Sequence, residues 1–169
     1  ETFKLSFCDM MYGNGVTITI KYEEDGKLYP IRFGNNQNNR RHEAENIADS
    51  HIYSALNSSG NRVGFIIVKN IDKLDLFEKD YVGQVIHHIK ARAENNYKTF
   101  VAIPIRSGDI INNELGLSIT RDYGMVGFDI NKPYGFGNID DFEIDIMSVF
   151  VDLLSEPIGD LKDLLHNKN

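Results

Sequence analysis

The sequence has no tryptophan, one cysteine, four prolines, and no apolar run near the ~18 residues a membrane-spanning helix needs. Each shortage excludes something. A lone Cys8 cannot close a disulfide within the chain, so a reducing, cytoplasmic compartment is expected. Positive charge is also short. The 18 Lys and Arg face 25 Asp and Glu, leaving a net charge of −7. A nucleic-acid backbone needs a basic face, so nucleic acid is not an expected partner. The cluster Arg40-Arg41-His42 is largely cancelled by Glu43 and Glu45. The N-terminal stretch ETFKLSFCDM lacks the basic start and long apolar core of a signal peptide, and no membrane insertion is expected.

What is present is the composition of a globular protein. At 169 residues, with 41 % apolar and 25 % charged, the chain has the length of one domain and can bury roughly 70 % of its unfolded surface. It opens on Glu1 rather than Met, as expected of a piece of a longer polypeptide. Its abundance of Asn and Ile fits an AT-rich, bacterial genome.

Hydrophobic spacing divides the chain into elements. Phe3, Phe7, Cys8 and Met11 fall on one face of a short helix. Val16 to Tyr22 is β-branched and alternating, and predicts a strand. Asp25-Gly26 suits a type I′ hairpin turn, and Leu28 to Phe33 returns as a strand whose Pro30 marks an edge or a bulge. A polar loop, GNNQNN, follows. The stripe Ala44, Ile47, Ala48, Ile52, Ala55 and Leu56 predicts a helix over 41–57, stopped by Ser58-Ser59-Gly60. Val63 to Val68 reads as a buried strand, 70–79 as a loop or single turn, and Tyr81 to Asn95 as a helix. FVAIPI (100–105) and GMVGFDI (124–130) are further strands, separated by a long hairpin excursion over 107–123. A turn at 131–137 leads to the last long helix, 140–154, ended by Pro157. Leu161, Leu164 and Leu165 mark one more helical segment. Hairpin-linked strands with helices around them predict an α+β domain: a central antiparallel sheet of about five to six strands with helices packed on its faces.

The usual catalytic patterns are missing. His87-His88 point about 100° apart on a helix and cannot share one ion. His42-Glu43 has Asn46 where a zinc hydrolase would have its second histidine. Neither a phosphate-cradling glycine loop nor a G-x-S-x-G elbow occurs.

Taken in order, these pieces resemble a GAF domain. The likeness is carried by FVAIPI, then Gly124, Gly127 and Asp129 in G-x-x-G-x-D, then Phe136 ahead of Asp140 and Asp141. Upstream, GVTITIKYEEDGKLYPIRFG looks like the family's first two strands, and His51 to Asp72 like its helix, glycine turn and third strand. The resemblance implies a GAF/PAS-like fold over 1–155, with 156–169 as an extension or linker helix. It also implies a non-catalytic sensory or regulatory module that binds a small ligand or a neighbouring domain. Two alternatives stand beside it: a structural dimerisation module without a ligand, and a GAF-type reductase. The reductase needs several cysteines, and this chain has one. Cys8 lies on an apolar stripe, so neither a covalent chromophore nor a metal is expected, and the ligand stays open.

In the family the ligand sits between the sheet and the segment joining the third and fourth strands, here Asn70 to Tyr81. The expected pocket residues are Phe65, Asp72, Phe77, Tyr81, Arg106 and Asp129, which combine stacking surfaces with carboxylate acceptors and one cation. Core filling by Phe77 and Tyr81, and a surface ion pair for Arg106, are the plainer alternatives. Asn131-Lys132, Phe136 and Asp140-Asp141 resemble the cyclic-nucleotide signature of some GAF domains, with a shorter gap after Lys132 and Asp for the final Glu. A structural clasp, Lys132 against Asp140 at a helix N-terminus, is the reading preferred here. A homodimer through the terminal helices is expected.

Overall fold

The computed structural model describes residues 15–33, 43–57, 64–76, 97–106, 110–112, 117–119, 122–137 and 141–166. The expected helices at 3–11 and 81–95, the loop at 34–39, the stop at 58–60, the clusters Arg40-Arg41-His42 and His87-His88, and Cys8, Phe77, Tyr81 and Asp140 lie outside these residues.

β1 (Val16–Glu24) and β2 (Lys27–Phe33) form the expected hairpin. Asp25 and Gly26 both take positive φ, 49° and 73°, as a type I′ turn requires. The pairs alternate outward from this turn, so Pro30, opposite Lys21, falls at a non-hydrogen-bonded position and its missing N–H costs β1 nothing. β3 (Glu45–Asn46) pairs only with Lys27 and Leu28. β4 (Ile66–Val68) lies at the opposite edge. β5 (Thr99–Arg106) and β8 (Asp122–Ile130) complete a six-stranded sheet in the order β3-β2-β1-β8-β5-β4, antiparallel at every pairing. The 107–123 excursion holds its own hairpin, β6 (Ile110–Asn112) against β7 (Leu117–Ile119), with Ile110 opposite Ile119.

Alternation along the strands gives the sheet two buried faces. On one, Val16 and Ile18, Val101, Ile103 and Ile105, and Val126, Phe128 and Ile130 pack under Met147 and Val151 of the last helix. On the other, Phe100, Ala102, Met125, Leu28 and Val68 meet Tyr53, Leu56 and Ile71. Each fully buried Val, Leu, Ile, Met or Phe among them stabilises the fold by about 1.5–3 kcal/mol. A sheet covered on both sides explains why β5 and β8 read as continuous apolar runs.

Two expected helices differ from the periodic reading. The helix over 41–57 shrinks to α1 (His51–Leu56), preceded by β3 and a 3₁₀ turn at Ile47–Asp49. Tertiary partners capture the first half. Ile47 N–H donates to Gly26 O at 3.0 Å, and Glu45 is held by Lys21 at 2.9 Å. Ile47, Ile52 and Leu56 still reach the core, but from two different local structures. The last helix, α2, runs Asp141–His166 without ending at Pro157. Proline removes one donor and crowds the preceding turn, but a helix docked along a sheet survives this. Ile158 packs on the core, and Gly159 is buried against Tyr123. The 155/156 division thus falls inside one helix.

Candidate functional site

The site is built on the α1-facing side of the sheet. β1 presents apolar Val16 and Ile18 to the α2 side and hydroxyls, Thr17 and Thr19, to the other. Across the register, Thr17 stands in one row with Asp129, Phe100 and Val68. The next row is Thr19, Gly127 and Ala102. Three small residues side by side on the central strands keep side-chain bulk low along this row, a depression in the floor by residue size. A Cβ on Gly127 would meet nothing closer than Thr19 O at 3.8 Å, so backbone packing does not require glycine there. The depression has a polar end: Thr17 is 1 % exposed and Asp129 7 %. A carboxylate that deep needs donors around it. The arrangement offers an acceptor and hydroxyls on an apolar floor, with Phe100 as an aromatic wall.

Of the expected pocket residues, Asp129 stands in the Thr17 row, buried on the α1-facing side of the sheet. Phe65 precedes β4 at the sheet edge and is 37 % exposed. Asp72 sits in the 3₁₀ turn Ile71–Leu76, folds its N–H onto Asn70 Oδ1 at 3.0 Å, and pairs with Lys98 Nζ at 2.8 Å. Its side chain is 55 % exposed, so this pair is worth about 0–1 kcal/mol. Arg106 is at the other end of β5 from Phe100, about 20 Å from the Asp129 row at ~3.3 Å per residue. The structure does not bring Arg106 and Asp129 together.

Arg106 has its own partners. Its Nε donates to Asp122 Oδ1 at 3.0 Å, and its Nη2 donates to Leu56 O at 2.8 Å and Asn57 Oδ1 at 3.1 Å. Leu56 is the last residue of α1, so the guanidinium caps a carbonyl that has no helical partner and carries the negative end of the helix dipole. Tyr53, 5 % exposed, lies in the same cluster. Burial pushes its phenol well above the ordinary value of 10.0, and the charges of Asp122 and Glu23 push the same way. Arg106 and Asn57 oppose them.

Lys132 lies in the expected turn, and its described partners are backbone ones. Lys132 O accepts from Thr99 Oγ1 at 2.6 Å and from Gly135 N–H at 3.1 Å. Thr99 Oγ1 also reaches Lys69 O at 2.9 Å and accepts from Gly135 N–H at 3.1 Å. Tyr134 N–H donates to Lys69 O at 2.8 Å, and Lys73 Nζ lies 5.6 Å from the Tyr134 ring centre. The turn is thus pinned across the sheet end by Thr99.

Sequence reading missed Thr17, Thr19, Thr99 and the Tyr53–Asn57–Asp122 cluster. The Thr pair had a signal: a strand alternating Val/Ile with Thr has one apolar and one hydroxyl-bearing face. The others depend on contacts between distant segments. Among the described residues, no three His, Cys, Asp or Glu side chains gather as a metal site, and no helix is long and apolar enough to cross a membrane.

The sequence matches no protein-family model and no curated protein. Its structure is similar to solved ones. A red/green cyanobacteriochrome in its red light-absorbing state superposes with a TM-score of 0.60 at 10 % identity, covering 96 % of this chain and 94 % of that one. The GAF domain of a two-component sensor histidine kinase from Bacillus halodurans gives 0.55 at 13 % identity, covering 95 % and 92 %. A type II free methionine-R-sulfoxide reductase from Thermoplasma acidophilum gives 0.54 at 11 % identity, covering 94 % and 88 %. Identities this low carry the fold alone, and sheet order, two-sided core and superposition agree on it: the chain has the GAF fold.

Proposed function

We propose that the chain is a sensory or regulatory module that takes a small planar ligand over the Thr17–Asp129 and Thr19–Gly127 rows and biases α2 in response. The observation that carries this reading is the depression itself: small residues on three central strands, with a buried carboxylate and hydroxyls at one end. Sensor proteins among the similar structures support it. A ligand acts on such a domain only through different affinities for its arrangements. Phe65, Phe77 and Tyr81 would supply the rim, and Asp129 the acceptor. Asp72 and Arg106 fit the rim less well, being engaged by Lys98 and by the α1 cluster.

The test is native mass spectrometry of the purified chain for a co-purifying small molecule, followed by thermal-shift screening with nucleotides, second messengers and metabolites. A ligand at one hundred times its Kd stabilises by about 2.7 kcal/mol. Gly127→Val fills the depression and is expected to abolish the shift while the fold persists. A ligand whose shift survives Gly127→Val, or no shift across the screen, refutes the site. The second outcome favours an interaction module whose hollow its own side chains fill.

The same reading places the module in the cytoplasm as a homodimer through its terminal helices. Val149 and Leu153, one turn apart on α2, are 59 % and 70 % exposed, which supports the dimer part. Light scattering at high micromolar concentration decides it; a strict monomer ends the proposal.

A further inference from the structure

We propose that the β8 bulge is a mechanical coupler, which makes the packing of α1 on one face of the sheet and the course of α2 beyond Pro157 on the other depend on each other. In the β5–β8 ladder Ile105 stands opposite Gly124, but Arg106 stands opposite Asp122, so Tyr123 is an extra residue. The insertion reverses the local alternation. Asp122 turns toward the α1 side, where it holds Arg106, while Tyr123 turns toward the α2 side and joins that core. Consecutive residues joined by one rigid peptide thus grip opposite faces.

Each grip is specific. On the α1 side, the planar guanidinium fork links Asp122 to Leu56 O and Asn57 Oδ1, which fixes the end of α1 in direction as well as distance. On the α2 side, a Cβ on Gly159 would lie 3.1 Å from the Tyr123 hydroxyl oxygen and 3.3 Å from Cζ, so the ring end rests against the helix backbone. That contact comes two residues after Pro157, where the helix lacks the N–H that the Leu153 carbonyl would accept. The helix is touched where it bends most easily. The bulge cannot relax toward β1, because Gly124, at φ 144°, has the Lys21 carbonyl oxygen where a side chain would be.

The coupling needs no ligand, so its test stands apart from the proposed function. Amide hydrogen exchange of the full chain is compared between wild type and Arg106→Lys, which keeps the charge but loses the fork. Exchange over 158–166 is expected to rise by about fivefold or more, the lower end of coupling between sites, while 141–150 stays unchanged. Reciprocity requires the converse. Gly159→Ala should speed exchange in α1 by a similar factor, although alanine by itself favours helix over glycine. In a Tyr123→Leu background, which keeps an apolar contact but removes the ring end, Arg106→Lys should no longer affect 158–166. The proposal is overturned if Arg106→Lys leaves 158–166 within about twofold of wild type, if it raises exchange evenly in every element, or if its effect persists with Tyr123→Leu.

Discussion

Thr99 Oγ1 stands 2.6 Å from Lys132 O and 2.9 Å from Lys69 O, so one hydroxyl at the start of β5 serves carbonyls from two separate connections. It also accepts from Gly135 N–H, and the residue is 2 % exposed. Thr99→Val keeps the shape and removes the hydroxyl, leaving Lys69 O to Tyr134 N–H alone and Lys132 O and Gly135 N–H to each other. The expected loss is about 0.5–1.5 kcal/mol in urea unfolding, with Thr99→Ser recovering most of it. Equal stability of the Val and Thr forms would show that the hydroxyl does not pin the turn.

Two glycines of β8 make opposite predictions. Gly124→Ala drives a methyl into the Lys21 carbonyl oxygen at a φ that L-residues rarely adopt, and is expected to cost about 2–3 kcal/mol or more. Gly127→Ala meets only Thr19 O at 3.8 Å and should be neutral or stabilising by about 0.5–1 kcal/mol. Denaturant midpoints of the two variants check both. If they shift alike, the close approach of the Lys21 carbonyl to Gly124 is not the constraint described.

Alkaline pH should weaken the fold through Tyr53. Its phenol titrates higher in the folded chain than the ordinary 10.0, because burial and the nearby acids disfavour the phenolate. A raised value in the folded state means that the stability contribution is complete below the unfolded value and fades as pH climbs above it. The loss therefore begins near pH 10 with a slope of about 1.36 kcal/mol per pH unit. Tyr22 is shifted the same way and adds to the background. Tyr53→Phe should flatten the pH dependence of urea unfolding between pH 9 and 11, and an unchanged profile would contradict the assignment.

The parts that were legible in the sequence are those set by neighbours along the chain. Asp25-Gly26 specifies its own turn, and the apolar runs of β5 and β8 state their burial. The excursion between them holds a hairpin, as expected. The stripe from Ala44 to Leu56 was misleading because Gly26 O and Lys21, far away in sequence, capture Ile47 and Glu45 first. Pro157 was misleading for the converse reason: docking along the sheet holds together a helix that would break in isolation. In the candidate site, Asp129 was singled out from its place in G-x-x-G-x-D, and the structure buries it in the Thr17 row. The pairing of Thr19 with Gly127 and of Gly127 with Ala102 was not, because it requires the register of three strands that are distant along the chain.

The strand order also governs how the molecule is made. The central pairing sets Val16 opposite Ile130, so the two middle strands are the first and the last strand along the described chain. Until β8 is synthesised, β1 has only β2 beside it and β5 only β4, leaving two half-sheets with open flanks. Joining them demands closure of a very long loop, which is slow, and a chain truncated before Asp122 would be left with unpaired edges prone to self-association.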